Sequence, residues 1–233
     1  RAVSKKDSEE TKKRIRAAVR FSMLISIPAA VGIAVLASPV CDLLFAGEDN
    51  SLLIRLTMSG ALAVVFFSLS TVTNAVLQGL NRLDVPVRHA FISLAVHIVL
   101  VEVFLLVFRM GIFSVVYANI LFAFMMCLLN GRTIARCADY RQEYKKTMVL
   151  PTVCALIMGA AAWGVYRGII FVFPALLHHG RIGMAFVVLP SVAAAIAVYG
   201  VLLIRLKAVD EEELKEMPMG TRLVGLCKKA KLL

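Results

Sequence analysis

Residues 182–204 read IGMAFVVLPSVAAAIAVYGVLLI, a run without one charged side chain, bracketed by Arg181 and Arg205. A helix needs about 20 such residues to cross about 30 Å of hydrocarbon. The run is apolar on all sides rather than at every second position, which argues against a barrel strand. In lipid the backbone has to satisfy its own hydrogen bonds, so a run of this kind is a membrane-spanning helix. Five more runs precede it, at 21–36, 52–77, 87–108, 112–129 and 148–171. The first is short, and residues 40–45 extend it past Pro39. The expected fold class is all-α: a polytopic transmembrane bundle of six spans.

Composition agrees. Of the 233 residues, 60% are hydrophobic and 18% charged, with a mean hydropathy of +0.84. Soluble domains are about 45–50% apolar and about 25% charged. A water-soluble enzyme, a disordered chain and a collagen-like repeat are excluded. Cys41, Cys127, Cys137, Cys154 and Cys227 form no CxxC pair and no metal-ligand spacing, and read as small apolar residues. No metal site and no cofactor is expected.

The net charge of +11 is placed asymmetrically. With both ends in the cytoplasm, the inner segments 1–20, 78–88, 130–147 and 205–233 hold 22 of the 26 Lys and Arg residues. Arg55, Arg109, Arg167 and Arg181 are the other four. This is the positive-inside pattern. The charge therefore serves topology and contact with anionic lipid heads. Nucleic acid is not an expected partner, because no basic patch is interleaved with exposed aromatics.

Three domains are expected. Residues 1–20 form a basic lead-in helix, in which Lys12, Lys13, Arg14 and Arg16 reach lipid phosphates. Residues 21–206 form the six-helix bundle. Residues 207–233 form a tail in which Leu223, Val224, Leu226, Cys227, Ala230 and Leu233 fall at helical spacing. That tail either lies on the inner leaflet as an amphipathic helix or is solvated and disordered. The sequence opens on Arg1 without a signal peptide, so the chain is expected to be a piece of a longer protein, or trimmed.

Polar groups inside apolar runs usually face the bundle or a water-filled cavity. Ser70, Asn74 and Gln78 form a stripe at i, i+4, i+8. His89, Ser93 and His97 form a second, with His97 near mid-depth. Ser70, Asn74, Gln78 and His97 are candidates for lining a substrate cavity, against the alternative that they join helices. Glu102 is a candidate for ion coupling. It lies five residues from His97, about 140° around a helix, but seven from Arg109, which shares its face. Small residues recur at Ser22, Ser26, Ala30 and Ala34, at Ala155 and Gly159, and at Ala160 and Gly164, which predicts close helix contacts. Pro28 and Pro190 predict kinks. No G-x-S-x-G, H-E-x-x-H or Gly-rich phosphate loop is present, and His178-His179 has no acidic neighbour, so no enzyme is expected.

Several stretches carry a family resemblance. They are Ile27-Pro28-Ala29-Ala30-Val31-Gly32-Ile33-Ala34-Val35-Leu36-Ala37 with Pro39 and Leu43-Leu44-Phe45, then Val76-Leu77-Gln78-Gly79-Leu80-Asn81-Arg82 with Val85-Pro86. Leu128-Leu129-Asn130, Glu213-Leu214 and Met217-Pro218-Met219-Gly220 follow. Together they resemble the later half of the polysaccharide-transporter flippases of the multidrug/oligosaccharidyl-lipid/polysaccharide superfamily. The look is of the stage V sporulation protein B branch, relatives of the lipid II flippases. The resemblance implies a bacterial cytoplasmic-membrane flippase for lipid-linked oligosaccharide or cell-wall precursors, with these six spans as its last six. It also implies a cavity between two lobes, cargo-binding cations on earlier helices outside this sequence, and drive by membrane potential or an ion gradient. Two other readings stay open: a cation-coupled multidrug antiporter of the same superfamily, relying on Glu102 and His97, and a non-transporting membrane scaffold.

Overall fold

The computed structural model describes residues 2–45, 49–140, 145–174 and 180–206, with side chains from residue 9 onward. The expected tail helix at 207–233, the His178-His179 pair and Cys227 lie outside the described residues. Among the described residues there is no strand. Six helices are long and apolar enough to cross a membrane, and each covers one of the six runs to within a residue.

Helix α1, Ala2–Val35, is about 50 Å long, more than the apolar run 21–36 requires. Its charged first half therefore stands outside that run. Pro28 lies within it without ending it. A single non-helical residue, Leu36, separates α1 from α2, Ala37–Leu44. The break has a local cause: Pro39 has no N–H to give the carbonyl of Val35, four residues earlier. Asn50 closes the far end of α2, its Nδ2 donating to Phe45 O at 3.0 Å and to Asp42 Oδ1 at 3.3 Å.

Helix α3, Ser51–Gly79, ends in a Schellman turn. Arg82 N–H donates to Leu77 O and Asn81 N–H to Gln78 O, each at 2.9 Å. Asn81 takes the left-handed conformation with φ 58°. The stretch VLQGLNR is thus a helix stop, with Asn at the position that tolerates positive φ. Helix α4, Asp84–Glu102, carries Pro86 in its first turn, where an N–H has no partner within the helix. It continues as one π turn, Val103–Val107. Arg109 then follows at φ 51°. The expected shared face of Glu102 and Arg109 is lost there, because the π turn changes the register and Arg109 has left the helix. No ion pair joins the two among the described residues.

Helix α5, Phe113–Ala138, stops at Asp139, which is left-handed with φ 47°. A π turn, Lys145–Val149, leads into α6, Leu150–Val172. Helix α7, Gly180–Arg205, runs through Pro190.

These helices divide into two units. One comprises Arg1–Ala30 and Arg55–Glu143, the other Val31–Ile54 and the described part of Tyr144–Leu233. In the first unit α4 packs on α5, and a core forms from Ile15, Val19, Leu77, Ile134 and Tyr140. In the second unit α7 packs on α6 and α2, around Leu36, Met158, Ala162 and Ala195. Of the small-residue rows, Ala155–Gly159 makes the expected close contact. A Cβ on Gly159 would stand 2.8 Å from Val31 Cγ1, whereas Gly164 faces open space. Large apolar side chains remain exposed on α4 (Phe91, Ile98) and on α7 (Ile182, Phe186, Leu189, Ile196), as lipid-facing surfaces require.

Candidate functional site

The two polar stripes meet inside the first unit. Helical geometry places Ser70, Asn74 and Gln78 on one side of α3, and His89, Ser93 and His97 on one side of α4. Between them stands Asn130 of α5, which is fully buried. Its Nδ2 donates to Asn74 Oδ1 at 2.7 Å and to Thr73 Oγ1 at 3.0 Å. Its Oδ1 lies 2.8 Å from His89 Nδ1.

The donors and acceptors of this knot can be assigned from its own logic. The Thr73 hydroxyl lies 2.8 Å from Leu69 O and 3.0 Å from Ser70 O, backbone carbonyls that only accept. The hydroxyl therefore donates to the backbone and accepts from Asn130 Nδ2. That turns Asn130 Oδ1 toward His89, so His89 Nδ1 carries the proton and donates. One buried amide thus ties three helices, using both of its N–H donors and its carbonyl. Such a knot holds best where water is excluded, because any member left alone would be buried without a partner.

The candidate residues of the sequence fall at different places around it. Asn74 belongs to the knot. Ser70 is buried one turn away, and its carbonyl serves Thr73. Gln78, one turn beyond Asn74 toward the Schellman turn, is exposed. His97 is half-buried, its ring edge-on to Phe122 at 5.8 Å. His97 Nδ1 and Ser93 Oγ are buried with no hydrogen-bond partner among the described residues. Glu102 is exposed at the end of α4.

Asn130 is the member of the knot that the sequence reading did not single out: it stood at the end of the fourth run, as the first position of the inner segment 130–147. The signal that could have found it is the spacing of the buried side: Ala118, Ala123, Met126, Asn130 and Ile134 recur at helical intervals beyond the apolar run.

Six long apolar helices define a multi-pass membrane protein. The family model of the lipid II flippase MurJ matches residues 1–179, and the chain belongs to that family. The family is one of transporters, so the reading as a non-enzyme stands. No curated protein matches the chain. No solved structure matches it either. The resemblance to flippases holds at the level of the family. The sporulation branch is no part of the match, and residues 213–220 lie beyond it.

Proposed function

We propose that this chain is part of a flippase that carries a lipid-linked oligosaccharide cell-wall precursor, of the lipid II class, across the bacterial cytoplasmic membrane by alternating access. The observation that supports it is the family match over residues 1–179 of a chain with six apolar helices. The polyprenyl tail stays in lipid while the head group passes through a polar cavity, completed by helices outside these residues. Ser70, Asn74, Gln78 and His97 are the candidates for that lining, with Gln78 the one whose side chain is most open to cargo. Glu102, the one carboxylate within the six apolar runs, is the candidate for ion coupling. Both ends of the segment lie in the cytoplasm, on the strength of the Lys and Arg asymmetry, and its basic residues meet anionic lipid heads.

The test uses the protein expressed from its complete gene and reconstituted into liposomes with a fluorescent lipid-linked disaccharide. The expected result is transfer of the label between leaflets. Glu102→Gln is expected to remove the dependence on an imposed ion gradient while cargo still binds. Absence of transfer, with cargo bound and the protein folded, would sink the flippase reading in favour of a scaffold. Efflux of a cationic drug without transfer of the lipid would replace it with an antiporter.

A further inference from the structure

Arg167 is a cation inside an apolar run. It stands on α6 five residues before that helix ends at Val172, about 8 Å along the axis, and the run 148–171 continues past it. Its side chain is exposed, as is that of Trp163 one turn earlier. An ionised group within a span usually turns into the bundle or pairs with an opposite charge. Arg167 does neither, and no ion pair joins it to a carboxylate among the described residues. The described acids of its unit are Asp42 and Asp49. Asp42 accepts from Ser38 Oγ and from Asn50 Nδ2, each at 3.3 Å, and Asp49 accepts from Ser51 N–H at 3.0 Å.

The direction in which the charge is held sets it apart from an ordinary interface anchor. A long basic side chain near the end of a span normally reaches outward to the interface. The Arg167 guanidinium instead lies over the Trp163 ring, 5.3 Å from its centroid, and Trp163 is four residues deeper in the span. Helical side chains lean toward the N-terminus of their helix, which from Arg167 is the direction of the membrane interior. The ring face attracts the positive charge but takes none of the five N–H donors, which lie in the plane of the guanidinium. Among the described residues no acceptor takes them. A Cβ on Gly164 or Gly168 would meet nothing within 4 Å, so the helix leaves room beside the charge. Such a group calls for an anion with several acceptor oxygens that itself belongs to the membrane. A lipid phosphate has both properties, and the guanidinium fork matches its oxygens.

We propose that Arg167, held by Trp163, binds the phosphate of a membrane lipid in the leaflet at the C-terminal end of α6. The phosphate belongs either to a glycerophospholipid or to a polyprenyl phosphate. The site requires only that α6 cross the membrane, and it stands apart from the flippase reading.

The test is fluorescence quenching in vesicles that hold the full protein in phosphatidylcholine with a varied fraction of phosphatidylglycerol, one or the other brominated on its chains. Trp163 is the single tryptophan of this sequence, and the signal lost in Trp163→Phe isolates it in the full protein. The expected result is that phosphatidylglycerol is favoured at Trp163 about fivefold, a ratio that falls to about one in Arg167→Gln. Arg167→Lys keeps the charge but not the planar fork, and gives a ratio between the two. Arg181→Gln removes the same charge from an exposed position at the start of α7, and changes the ratio less than about twofold. Relief of quenching by unbrominated polyprenyl phosphate at a lower mole fraction than by unbrominated phosphatidylglycerol would assign the site to the polyprenyl lipid. The opposite order would assign it to the glycerophospholipid. A ratio of about one in the unsubstituted protein, or one that Arg167→Gln leaves unchanged, overturns the proposal. So does an equal fall in Arg167→Gln and Arg181→Gln, which would show attraction to charge at that end of the span without a site at Arg167.

Discussion

His89 Nδ1 donates to Asn130 Oδ1 over 2.8 Å, joining α4 to α5 across 41 positions of the chain. The bond matters because Asn130 spends its other polar atoms on α3. Removing Asn130 strands the His89 Nδ1–H and the Asn74 Oδ1 at once, while the Thr73 hydroxyl keeps its backbone acceptors. Asn130→Ala is expected to cost about 1–3 kcal/mol, read from unfolding in detergent. A double-mutant cycle with His89→Ala should return a coupling of about 0.6 kcal/mol, and no more than about 1.7 kcal/mol. Strict additivity of the two losses would show that the bond contributes nothing.

Gly159 and Gly164 form a matched pair of tests in the second unit. A methyl group on Gly159 would overlap Val31 Cγ1 at 2.8 Å and crowd Val35 Cγ2 at 3.2 Å. Gly159→Ala should therefore destabilise by about 1–3 kcal/mol. Val31→Ala in the same protein should recover part of that loss. Gly164→Ala meets nothing within 4 Å and gains helix propensity, so its melting temperature should hold or rise. Equal effects at the two positions would contradict the packing described here.

Asn50 closes α2 with one amide. Its Nδ2 reaches the carbonyl of Phe45 and the carboxylate of Asp42, and the residue is buried. Asn50→Ala should cost about 1–2 kcal/mol, and Asn50→Asp more, because a carboxylate there would face a carbonyl and a second carboxylate. Thermal unfolding of the two variants side by side checks the order. Asn50→Asp proving the milder would contradict it.

Gln78 and Asn74 separate cargo contact from helix joining. Both lie on the same side of α3, but Asn74 is tied to Asn130 while Gln78 is exposed. Gln78→Ala should lower precursor transfer about three- to tenfold, the worth of one hydrogen bond, with an unchanged melting temperature. Asn74→Ala should lower both. Unchanged transfer in Gln78→Ala would remove it from the cavity lining.

Much of this molecule was legible in the order of its residues. Apolar runs such as 182–204 dictate helices by themselves, because a backbone in lipid has no other way to satisfy its hydrogen bonds. The six runs, their lengths and the class of protein therefore followed from the sequence, as did the close approach allowed by Gly159. Local chemistry such as the Pro39 break and the Asn81 stop acts over one helical turn, but the sequence reading carried the first run on past Pro39 and read no stop at Asn81. Tertiary structure alone decided which polar side chains meet. The stripes of α3 and α4 were visible as spacings, but spacing fixes only a side of a helix. It does not say what that side faces, and no spacing tied Asn130, one residue past an apolar run, to either stripe. Its burial depends on residues more than forty positions away, on two other helices, that exclude water around it. The ion bridge from Lys12 to Asp139 arises in the same way: the acid enters from the far end of another helix.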